Sequence, residues 1–125
     1  MGLAELTRIS EVGDVLEFAR GDLLAKGFID QPMLTWCGRH SGFGKFEQTL
    51  IGIKNGELMV LPMINIQTFE YDKVEYYKKG EATVKITHLP QLKVKSKGGS
   101  DVFNIYGVSN GVENLRNIVS IYNSS

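Results

Sequence analysis

The sequence predicts a single small, mainly β domain of the α+β class. Its body is a meander of antiparallel strands, with one helix before it and one after it. Three features carry this reading. After Gln31 apolar residues recur every second position, glycine-bearing turns break those runs at short intervals, and spacings of three and four occur only near the two ends. Parallel strands need crossovers of a dozen residues or more, so runs joined this closely pair antiparallel.

The chain has 125 residues, 42% apolar and 22% charged, which is the balance of a folding globule. A domain of that length buries roughly two thirds of its unfolded surface and needs no disulfide or metal staple. With one cysteine and two histidines there is neither a disulfide framework nor a zinc cluster, and no cofactor is expected. Cys37 reads as a small buried hydrophobe, because His40, three positions along a strand, points to the opposite face. The first residues lack the basic and apolar regions of a secretory signal, and no apolar run reaches the ~18 residues of a membrane span. A reducing cytoplasmic setting is therefore expected. Net charge is zero but uneven. Residues 1–31 carry Glu5, Glu11, Asp14, Glu17, Asp22 and Asp30 against three bases, whereas residues 73–97 carry seven lysines against Glu75 and Glu81. Such opposed ends can attract each other within one molecule or between two.

Ile9, Val12, Leu16, Ala19 and Leu23 draw one apolar stripe, so residues 1–30 form an N-terminal helical extension. Asp14 and Glu17 have capping-box spacing, which starts the helix after Gly13, and Gly27 ends it. Residues 31–125 form the sheet and its closing helix, the whole making one compact domain. Met33 to Cys37 begins the first strand, and Gly38 to Gly44 is its turn. Phe46 to Lys54 and Glu57 to Met63 flank Asn55-Gly56, the strongest short hairpin signal. Met59 to Met63 is apolar on both faces, and Pro62 marks the strand's end or an edge. Lys73 to Lys79 is the fourth strand. Ala82, Val84 and Ile86 alternate with Thr83, Lys85 and Thr87; Leu92 and Val94 alternate with Lys93, Lys95 and Lys97. Val102 to Tyr106 completes the seventh strand. Asn110 and Glu113 then open a helix whose stripe is Val112, Leu115, Ile118, Val119 and Tyr122, fit to plug the sheet.

This order, with Tyr71-Asp72-Lys73-Val74-Glu75-Tyr76-Tyr77-Lys78-Lys79-Gly80, the strand Ala82 to Thr87 and the lead-in Val108 to Leu115, resembles the bacterial pleckstrin-homology (PH)-like domains from about Phe46 to Tyr122. The extra residues between Met63 and Glu70 and the acidic N-terminal helix stand outside the family pattern. The resemblance implies a seven-stranded, partly open barrel capped by its C-terminal helix, in a family some of whose members assemble into oligomers. It also implies that a phosphorylated head group, where one binds, is held by the loop between the first two strands.

Gly38 to Lys45 is not a nucleotide loop. Five residues rather than four precede Gly44-Lys45, Phe46 follows, and the next element is a strand. Arg39, His40 and Lys45 could still hold an anionic head group through charge-assisted bonds from a glycine-rich backbone. Lys85, Lys93, Lys95 and Lys97 share one face of two neighbouring strands. They form either a solvated surface or a docking face for an acidic partner, including the acidic helix of another copy. Nucleic acid is not expected, because stacking aromatics are missing from that face and the chain is not basic overall. No metal site and no catalytic residues are expected: His40 and His88 lack partners at useful spacing, and neighbouring His40 and Ser41 point apart. Trp36, Phe43 and Phe46 read as core. The chain is thus expected to be a non-enzymatic binding or assembly module. It would make protein contacts or self-associate, with a peripheral membrane role through the Gly38–Lys45 loop as the alternative.

Overall fold

The computed structural model describes residues 12–40, 46–65, 68, 70–87, 91–105 and 111–124. Helix α1 spans Val12–Lys26, followed by β1 (Thr35–His40), β2 (Phe46–Lys54), β3 (Glu57–Asn65), β4 (Glu70–Tyr71), β5 (Glu75–Tyr77), β6 (Ala82–Ile86), β7 (Gln91–Ser96) and β8 (Gly99–Ile105). Helix α2, Gly111–Asn123, comes last. The strands form one open antiparallel sheet in the order β4-β3-β2-β1-β8-β7-β6, with β5 also on β3. The mainly β architecture with a helix at each end is therefore as expected, but the sheet has eight strands rather than seven.

Pro62 accounts for the additional strand. The N–H and C=O of one residue in an antiparallel strand point to the same side. The Pro62 carbonyl accepts the Asp72 N–H at 2.8 Å, so its missing N–H also faces that neighbour. There the neighbouring strand breaks, with β5 paired to Leu58–Val60 and β4 to Met63 and Asn65. Proline was expected to end β3 or mark an edge. Instead β3 runs through it to Asn65, flanked on both sides, and the interruption falls on the adjacent strand.

The β2–β3 hairpin turns on Asn55 and Gly56, whose φ angles of 53° and 75° are those of a type I′ turn. Helix α1 ends in a Schellman motif: Phe28 N–H bonds the Leu23 carbonyl at 2.9 Å and Gly27 N–H bonds that of Leu24 at 3.2 Å. Because α1 already runs from Val12, the Asp14–Glu17 pair lies inside the helix and does not start it. Strand β1 is also longer than expected. It continues through Gly38, Arg39 and His40, held by pairing with Gln48, Glu47 and Phe46, so those three residues belong to the strand and not to its turn.

Side-chain alternation splits the apolar residues into two clusters on opposite sides of β1–β3. On the inner side Ile51, Ile53, Leu58 and Val60 meet Val84, Leu92, Val94 and Phe103 under Leu115, Ile118 and Tyr122 of α2. On the outer side Trp36, Leu50, Met59, Leu61 and Met63 are covered by Leu16, Ala19 and Leu23 of α1 and by Ile29 and Leu34. Helix α1 thus packs on its own sheet. Gly52 permits this close cover, since a Cβ there would stand 2.8 Å from Ile29 Cγ2. Asp30 fastens the segment after α1 to the hairpin, accepting the Asn55 N–H at 2.8 Å and donating its own N–H to Ile53 at 3.1 Å.

Candidate functional site

On β6 and β7 the inward residues are Val84, Leu92 and Val94, which are buried, and the outward ones include Thr83, Lys85, Lys93 and Lys95, which are exposed. Strand register then fixes how the outward residues meet. Lys85 lies directly opposite Lys93, Thr83 opposite Lys95, and β8 places Val102 beside Lys93 and Ser100 beside Lys95. Directly opposed side chains have Cβ atoms roughly 5 Å apart, and like charges there repel. Among the described residues no salt bridge involves Lys85, Lys93 or Lys95. The three lysines line a groove of 360 Å³ together with Thr83, Ser100, Val102, Val94 and Asp101. Lys97, the fourth member of the sequence pattern, sits in the turn between β7 and β8 and does not line this groove.

Arg39 occupies a different setting. It points to the inner side, its side chain only 15% exposed and its Cζ 5.7 Å from the centroid of the Phe103 ring. Its Nη2 bonds Glu47 at 2.7 Å and its Nε bonds the same oxygen at 3.0 Å, while Nη1 lies 3.5 Å from both Glu75 and Asp101. Burial opposes its charge, but the bond to Glu47 and the three carboxylates outweigh that and raise its pKa. One cation facing three anions leaves a net negative cluster, and Arg39 is committed within the molecule. Of the expected head-group residues, the backbone of His40 ends β1 opposite Phe46, and Lys45 lies outside the described residues. Phe43, His88 and Asn110 also lie outside them.

Two further sets of polar contacts join the helices to the sheet. The Tyr71 hydroxyl donates to Asp22 at 2.7 Å, Lys26 reaches the same oxygen at 2.9 Å, and its Nζ lies 5.0 Å from the centre of the Tyr71 ring. Burial, reinforced by the bond to Asp22, drives the Tyr71 pKa upward. At the open seam the Tyr122 hydroxyl donates to the Lys78 carbonyl and accepts the Ala82 N–H at 3.2 Å, while Asn123 Nδ2 donates to the Val84 carbonyl at 3.2 Å. These contacts link groups 39 to 49 residues apart, and local spacing gave no signal for them.

Trp36 is buried in the outer cluster and donates its indole N–H to Gln48. Cys37 is wholly buried, and burial pushes its thiol up to about 12. Among the described residues no group of three or more His, Cys, Asp or Glu side chains is placed to hold a metal, and no helix is long and apolar enough to cross a membrane. Comparison with protein-family models, curated proteins and solved structures finds no match.

Proposed function

We propose that this chain is a non-enzymatic binding or assembly module of the bacterial PH-like kind, working in a reducing cytoplasm and docking an acidic protein partner on the outer lysines of β6–β8. The carrying observation is the opposed pair Lys85 and Lys93 beside Lys95, with no salt bridge to any of them among the described residues. An array that repels itself costs stability when free and is relieved when an acidic surface supplies counter-charge. The PH-like part draws support from β1 lying between β2 and β8, from β4 and β5 together taking one place beside β3, and from α2 on the inner side. The head-group reading of the Gly38–Lys45 loop gains nothing from Arg39, whose charge Glu47, Glu75 and Asp101 already answer.

Light scattering on the full chain at low and high salt tests the proposal, both alone and with polyglutamate as an acidic probe. The expected result is a complex at low salt that dissolves at high salt and is lost in Lys93→Glu. A monomer that ignores polyglutamate at every salt concentration removes the proposal.

A further inference from the structure

We infer that the groove on the outer side of β6–β8 seats a phosphate monoester borne by a protein partner. This rests on the docking role proposed for the same face and names the group that the face selects. Two residues along a strand span about 6.7 Å, so Lys93 and Lys95 stand that far apart with Lys85 across from Lys93. Three lysine stems therefore rise from adjacent positions around one groove, each within a side-chain length of the others. Lys95 is also flanked on both sides by a hydroxyl, Thr83 on β6 and Ser100 on β8.

A carboxylate brings one charge and two oxygens, which meets only part of this set. A phosphate monoester brings a charge of about −1.5 to −2 and three strong acceptor oxygens. It can take ammonium donors from the lysine pair and neutral donors from the hydroxyls together. Asp101, the one carboxylate among the described residues of the lining, turns to Arg39 on the inner side at 3.5 Å and leaves the lysines' charge uncancelled.

The groove's placement selects the carrier. Small free ligands are held in concavities that enclose most of their surface. This groove lies on the outer surface of three strands of the sheet, and its donors Thr83, Lys85, Lys93, Lys95 and Ser100 are all exposed. A phosphate held there needs neighbouring contacts from whatever carries it, and a protein segment laid across the strands supplies them. Among the described residues of the lining, Val102 is the only outward apolar one and none is aromatic, which offers little to stacking bases or to a lipid surface.

Amide chemical shifts of the isotope-labelled full chain provide the test. The chain is titrated with an otherwise neutral phosphoserine peptide, with its serine and glutamate versions, with inorganic phosphate, and with phosphatidylserine-containing vesicles. The phosphoserine peptide is expected to shift amides of residues 83–85, 93–95 and 100–102 and to bind most tightly. The double variant Lys93→Gln, Lys95→Gln should lose at least about tenfold in affinity through two missing charge-assisted contacts, while its remaining spectrum stays folded. Equal binding of the glutamate peptide overturns the phosphate assignment and leaves acidic docking standing. Equal binding of inorganic phosphate or a preference for vesicles overturns the protein carrier. No shift at those residues with any probe overturns this inference, and if polyglutamate is ignored as well, the docking role falls with it.

Discussion

The outer side of this sheet is treated in two ways. Over β1–β3 it carries Trp36, Leu50, Met59 and Leu61, and α1 lies across it. Over β6–β8 it carries Lys85, Lys93 and Lys95 among hydroxyls, and no described element covers it. Both halves share the inner core beneath α2, so the contrast does not come from a difference in what lies below. It shows where the chain spends side chains on stability and where it leaves them for contact. In the covered half, burying a large aliphatic or aromatic side chain contributes about 1.5–3 kcal/mol. In the bare half the lysine pair costs a little and offers only charge.

The comparison breaks most sharply if α1 is not an integral cover. Leu23→Ala, at a fully buried helix position, should cost about 2–5 kcal/mol in urea unfolding; a loss under 1 kcal/mol would mean the helix only rests on the sheet. Gly52→Ala should cost about 1–3 kcal/mol, because the added carbon meets Ile29 Cγ2 at 2.8 Å. A neutral result there would show that Ile29 can move aside. The inner core has its own signature in pH. A buried thiol whose pKa rises from 9.0 to about 12 stabilises the fold fully below pH 9 and loses that contribution as pH climbs to about 12. The raised pKa values of Tyr71 and Tyr122 add to the decline above pH 10. Melting temperature should hold steady up to about pH 9 and fall beyond it, and Cys37→Ala should flatten the first part of the fall. A thiol reagent at pH 8 should label Cys37 only in denaturant.

The smallest effect has the opposite sign. Lys93→Glu puts opposite charges across from each other and should raise stability by about 0.2–1 kcal/mol while abolishing docking. Gain of stability with loss of binding, measured on one variant, is what a functional rather than a structural lysine predicts.

Much of the sheet was readable because its signals are local. Asn55-Gly56 demands a tight turn, and the alternation through residues 82–87 and 92–97 leaves one choice of inner face. The lysine face followed from that period, although only register could put Lys85 across from Lys93 and leave Lys97 aside. What escaped was set by partners distant in sequence. From its neighbours alone Arg39 looks like a loop cation, but its carboxylates lie 8, 36 and 62 residues away. The apolar run Met59 to Met63 did carry a usable signal, since a strand apolar on both faces must be covered on both. Its proline suggests an edge, whereas the hydrophobic pattern calls for cover on both faces, which α1 supplies on one.

The seam sealed by Tyr122 and Asn123 has a consequence for solubility. Strand β6 ends the sheet order, and a bare strand there would invite the same strand of another molecule to add on, and then another. By occupying the outward-facing Ala82 N–H and Val84 carbonyl, the last turn of α2 removes the first rung of that ladder. Loss of those two side chains would do more than loosen a helix, because it would reopen that edge to strand addition from another molecule.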